Sequence, residues 1–244
     1  MALAAALLAA AIGMIAHGWW RRRSLAAAIA RAVRGGLASR PRATLGWAAG
    51  IAIMYGATSL VALALLGRLE AVSVLPAELR GTFGIAPLGG QAMCDAALAI
   101  GGGSVLGGAA VAIMARRGWR VGPRYRSPAV AATPREAGAS VMLAVAAGVG
   151  EELFFRLLVP LLGALVFGSG MLGCVLGWAL FALAHRYQGR GGMAAVALVG
   201  AVLAWLYLAT GMLWVVMALH ALVDVNSLVV RPWVERRFLA VRAN

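Results

Sequence analysis

Apolar runs separated by short polar breaks dominate this chain. The runs cover residues 1–18, Thr44–Gly67, Gln91–Ala115, about Ala137 to Phe167, Met171–Tyr187, Met193–Ala209 and Met212–Val230. Runs of this length and composition read as membrane-spanning helices. The pattern therefore predicts an all-α polytopic bundle of about seven spans. Gly168-Ser169-Gly170 and Thr210-Gly211 read as tight outer turns, and Arg68–Gly90, with Pro76 and Pro87, as an outer loop. Arg116–Glu136 holds Pro123, Pro128 and Pro134 and reads as an inner loop, with Gln188–Gly192 a short inner turn and Arg231-Pro232 the end of the seventh span. In the first run the positive charge follows the apolar stretch, whereas a cleaved signal peptide carries it before. We read an uncleaved helix with its N-terminus outside and Trp19-Trp20 at an interface.

Charge agrees with that topology. All 22 basic residues are Arg, and the formal charge is +14. Nineteen arginines fall in or at the edge of the inferred inner segments, Arg186 closing the fifth run, two lie in the outer loops, and Arg156 lies within a span. That asymmetry follows the positive-inside rule and puts the C-terminus in the cytoplasm. The arginines serve orientation and anionic headgroups rather than nucleic acid, so the bilayer is the expected partner. Residues 21–42 carry seven of them, and Ser24–Val33 has the look of a basic surface helix. Arginine without lysine, with much Ala and Gly, is the usage of a GC-rich bacterial genome, which points to a bacterial cytoplasmic membrane. Hydrophobic residues make up 63% and mean hydropathy is +0.89, beyond any ordinary soluble domain. Cys94 and Cys174 lie in apolar runs and show neither a disulfide framework nor metal spacing. Gly103 and Gly107 form a small-xxx-small pair suited to close helix approach. The chain divides into N-terminal helices and arginine-rich loops (1–137), a core (138–230) and a basic tail (231–244).

Against this background the ionisable groups inside spans stand out. Placing one in hydrocarbon costs from about 2.5 to more than about 10 kcal/mol, so it marks function by default. Glu151, Glu152 and Arg156 lie together in the fourth run. On a helix Glu152 and Arg156 are one turn apart and can pair, while Glu151 points about 100° away and is free for chemistry. The bland alternative is packing glue. His185, His220 and Asp224 lie in the fifth and seventh runs, and His220 and Asp224 are again one turn apart. Counting about 1.5 Å per residue from the outer turns puts Glu151 about 26 Å, His185 about 23 Å, Asp224 about 20 Å and His220 about 14 Å deep, in one layer of the inner half. Asp95, near an outer end, reads as interfacial. Such a cluster suits hydrolysis: a carboxylate takes a proton from water and delivers it to the leaving amine, and a neutral His stabilises the oxyanion. Equally, Glu151, His185, His220 and Asp224 could hold a divalent metal that activates the water. His-Glu-x-x-His is absent.

Glu-Glu-x-x-x-Arg (Glu151, Glu152, Arg156), Phe-x-x-x-His (Phe181, His185) and His-x-x-x-Asp (His220, Asp224) stand in order over residues 138–230. In these motifs the chain resembles the CPBP family, the CAAX protease and bacteriocin-processing (Abi) intramembrane peptidases, which include the type II CAAX prenyl endopeptidases. Asp224 stands where many members have Asn. The resemblance implies cleavage of a membrane-associated protein or peptide, with Glu151 as general base. It also implies that His185 and His220 bind metal, zinc foremost, or orient water in a metal-free glutamic mechanism, that Asp224 assists, that Arg156 holds Glu152, and that Phe181 packs beside the site. The competing classes are a non-catalytic immunity or scaffold protein and, against the lack of visible repeats, a proton-coupled transporter.

Overall fold

The computed structural model describes residues 1–20, 31, 34, 39–117 and 127–239. The proposed surface helix at 24–33, the centre of the arginine-rich inner loop and the end of the tail lie outside the described residues. Those described form helices and turns with no strand. They contain seven helical rods: α1 (Ala2–Trp20), α2 (Arg40–Leu65), α3 (Gly90–Arg116), α4 (134–167), α5 (Gly170–Ala184), α6 (Gly189–Thr210) and α7 (213–239). Three stretches are long and apolar enough to cross a membrane: Arg40–Leu65, Arg186–Thr210 and Leu213–Arg237. Ala2–His17 and α5 are shorter apolar helices. Leu198, Trp214 and Leu222 lie bare on the outside of these helices, as a lipid-facing surface requires. The protein is an integral membrane protein.

The middle rod is α4. From Leu153 to Ala164 it is buried on every side, which is why its sequence there is apolar around the whole circumference. Its first half packs on α2 and α7, its second on α1 and α5, and α5 packs on α6. Lipid tails are as apolar as Leu, so close contact between these rods depends on shape. Glycines supply it: a Cβ on Gly163 would lie 2.6 Å from the Gly173 Cα, and one on Gly148 would lie 2.7 Å from the Met217 carbonyl oxygen. The pair expected to do this, Gly103 and Gly107, would meet nothing within 4 Å among the described residues.

Gly168 (φ +66°) and Gly211 (φ +69°) adopt the left-handed conformation that ends α4 and α6 at the expected turns. The loop between α2 and α3 folds over this end. Its Leu88 N–H donates to the Ala209 carbonyl at 2.9 Å, and the Glu78 carbonyl rests against Gly170, where a Cβ would collide with it. Arg68 donates two 2.9 Å hydrogen bonds to the Glu78 carboxylate. Those bonds hold the Glu78 carboxyl below its ordinary value, with partial burial opposing them. A group depressed in the folded state adds stability above its unfolded value, about 4.3, and loses it as pH falls through the lower folded value. The amides of residues 68–84 should therefore keep their exchange protection down to about pH 5 and lose it as pH falls below the ordinary carboxylate range. Glu78→Gln should lower protection already at neutral pH. Protection that is flat through that window would show that the pair does not fasten the loop.

The end of the bundle departs from the reading of the sequence in two places. The fifth helix stops at Ala184, not Tyr187, and a 3₁₀ turn over Arg186–Gln188 leads into α6. The seventh does not stop at Arg231-Pro232: a π-helical segment, Asn226–Val230, carries it into a further helix, Arg231–Leu239. Pro232 has no N–H to give the Leu228 carbonyl four residues back, the usual reason a helix breaks. Here that carbonyl accepts the N–H of Ala131 instead, at 2.9 Å. The helix thus survives its proline because another segment supplies the missing donor.

Candidate active site

The Glu-Glu-x-x-x-Arg segment straddles a break in α4. Ordinary helix runs to Glu152, and a π-helical segment, Leu153–Leu158, follows. Pro160 accounts for it, since the Arg156 carbonyl loses its donor four residues on and the proline ring crowds that carbonyl. The bulge follows directly on the two glutamates in the buried middle of α4, and they meet opposite nitrogens of His220.

Glu152 turns inward and is completely buried. One of its oxygens accepts from Nδ1 of His220 at 2.6 Å, and the other lies 3.1 Å from Nε of Arg156. The second contact is close enough for an ion pair but is not aligned as a hydrogen bond. Arg156 is itself buried and stacks over Phe181, its Cζ 3.8 Å from the ring centroid. That cation–π contact replaces part of the hydration the guanidinium has lost. Phe181 also meets His185 and His220, with ring centroids 4.7 and 6.0 Å apart.

Glu151 faces the other way, into a cavity of about 160 Å³. His185, Asp224, Trp47, Ile51 and Tyr187 line it too, as do Ser127 and Val130 of the segment before α4 and Arg231 of α7. His185 is the residue that closes α5, and its Nδ1 lies 2.9 Å from the Phe181 carbonyl. A carbonyl only accepts, so Nδ1 carries the proton and, in the neutral ring, Nε2 carries the lone pair. The Glu152 carboxylate fixes His220 in the same tautomer. Both Nε2 atoms point at Glu151, 3.7 and 3.9 Å from its Oε2, and Asp224 Oδ2 lies 3.9 Å from Nε2 of His220.

Two imidazole lone pairs and two carboxylates therefore face one small volume, and among the described residues no donor reaches the buried Glu151 Oε2. Acceptors gathered without a donor repel one another unless a proton, a water or a cation lies between them. The donor set, two neutral His nitrogens and two carboxylates, fits a divalent ion such as zinc. The spacings exceed the ~3.3 Å between ligands of a tetrahedral zinc ion, and among the described residues no three such side chains form a ready-made cluster. The ligands would close by a few tenths of an ångström around an ion, or stay apart around water.

All seven side chains singled out in the sequence lie together in this region. Sequence reasoning did not find the walls contributed before α4: Trp47, Ile51 and the strap 127–132. Those residues carry no unusual chemistry. The strap is fixed by backbone carbonyls, Arg40 reaching those of Pro128 and Val130 at 3.2 Å and Ser140 that of Ala129 at 2.7 Å. Only the orphaned carbonyl implied by Pro232 hinted that something must dock there.

Residues 133–226 match the family model for Type II CAAX prenyl endopeptidase Rce1-like proteins. The match supports the resemblance to the CPBP and CAAX protease family, and all three motifs lie within it. No curated protein and no solved structure matches the chain.

Proposed function

We propose, from the premise that residues 133–226 carry an Rce1-like CAAX endopeptidase domain, that this protein hydrolyses a peptide bond of a membrane-associated protein or peptide in the Glu151 cavity. The observation that carries the proposal is the convergence of Glu151 Oε2 with Nε2 of both histidines at 3.7 and 3.9 Å. Glu151 takes the proton of a water held at that point, the hydroxide adds to the scissile carbonyl, and the same carboxyl returns the proton to the leaving amine. Glu152 and the Phe181 carbonyl hold the two imidazoles in the tautomer that leaves Nε2 toward the water. Asp224 orients the water from the second side.

Glu151, His185, His220 and Asp224 are the residues that would hold a divalent metal. A bound zinc would lower the pKa of the water and polarise the carbonyl. The spans are oriented with the arginine-rich ends and the cavity toward the cytoplasm, in the bacterial inner membrane, and the supporting observation is that Arg231 and the strap line the cavity.

The test is to reconstitute the protein in liposomes with membrane peptides from cells lacking it, and to read new termini by mass spectrometry. Termini beside or within a membrane segment are expected, and their complete absence over a broad peptide set overturns the proposal. Metal content of the purified protein should be on the order of one divalent ion per chain and fall in Asp224→Ala. Full activity at negligible metal content assigns the chemistry to water and Glu151 alone.

A further inference from the structure

We infer that Tyr207 is a positioning residue of this site, acting through a single water shared with Arg156 in a small pocket between α4, α5 and α6; its catalytic consequence rests on the peptidase reading above. Gly200, Ala204 and Tyr207 recur at helical spacing on one face of α6, and that face lies over Arg156. The guanidinium is confined on three sides. Phe181 lies beneath it at 3.8 Å, Gly200 stands where a Cβ would come within 3.2 Å of Nη2, and Glu152 approaches Nε at 3.1 Å.

The remaining side opens on a cavity of about 10 Å³ bounded by Arg156, Tyr207, Phe155, Pro160, Cys174 and Ala204. That is about room for one water. Arg156 and Tyr207 are 4% and 2% exposed, and the described residues offer no hydrogen-bond partner to Nη1, Nη2 or the Tyr207 hydroxyl. Buried groups of this kind are satisfied by protein or by ordered water. A water meets the chemistry, because it accepts from the guanidinium, which only donates, and exchanges a hydrogen bond with the phenol, which does both. The bridge sets the rotation of the guanidinium, which the misaligned contact with Glu152 leaves loose. Through Glu152 it sets the imidazole of His220.

Tyr207→Phe removes the hydroxyl and keeps the ring. A structure of the wild type at a resolution that shows ordered water should contain one within hydrogen-bond distance of Tyr207 Oη and an Arg156 Nη atom. In Tyr207→Phe the water should be lost and Arg156 should rotate off Glu152. With a cleavable substrate, kcat should fall about five- to tenfold at unchanged KM, the signature of a disturbed transition state rather than lost binding. Ala204→Val, which fills the cavity from the other wall and leaves the hydroxyl in place, should act the same way. A dry cavity in the wild type overturns the inference, as does an unmoved Arg156–Glu152 contact in both variants. If the wild type cleaves nothing, the peptidase reading fails, and the position of Arg156 in the variants still decides this one.

Discussion

Replacing Glu151 by Gln should lower peptide cleavage by about 10³-fold or more, toward the upper range for loss of a general base, while leaving a folded protein. The two halves of this expectation come from different observations. The base is lost because an amide cannot take the proton of water. The fold is kept because Glu151 Oε2 has no donor to lose among the described residues. Removing a charge from a buried position also removes a desolvation cost, so thermal stability in detergent should stay level or rise. The informative measurement is the pair: cleavage rate and melting temperature of the same preparation. Cleavage at the wild-type rate would end the assignment of Glu151 as base, and loss of both properties would move Glu151 to a structural role.

Arg156→Met should have the largest effect on stability, about 3–5 kcal/mol, the range for stripping one partner from a buried ion pair. The methionine fills much of the same space over Phe181, so the loss reports charge more than volume. It leaves the Glu152 carboxylate completely buried, held by His220 but without its cation. The control is Arg156→Met combined with Glu152→Gln, which removes the stranded charge and should recover part of the loss, a coupling read from a double-mutant cycle. Denaturant unfolding in micelles measures both. A cost below about 1 kcal/mol for the single variant would place the pair with exposed ion pairs, against its burial.

Much of this site can be read from the chain because its members break a strong local rule. An acidic pair, an arginine and two histidines inside apolar runs are costly unless they meet, and the helical spacing of Glu152 with Arg156 and of His220 with Asp224 already assigns the partners. The packing of the rods was less legible. Gly103 and Gly107 have the spacing of a contact motif, but spacing does not say whether a neighbour is present. The glycines that do touch, Gly148, Gly163 and Gly173, are set by which rods lie side by side. The continuation of α7 beyond Pro232 was hidden for a related reason. A proline is a local signal to stop, and the donor that overrides it comes from Ala131, almost one hundred residues earlier.

That backbone bond has a consequence for biogenesis. The strap over the cleft is tied to a carbonyl on α7, and His220 and Asp224 arrive on the same rod, so on the proposed reading nothing made before α7 can hydrolyse a peptide. On the proposed reading, a ribosome still threading earlier helices into the bilayer carries an inert precursor, and competence appears only when α7 inserts. Chains cut short by stalled translation would then be harmless to their neighbours, a built-in safeguard if the proposed substrates share its membrane.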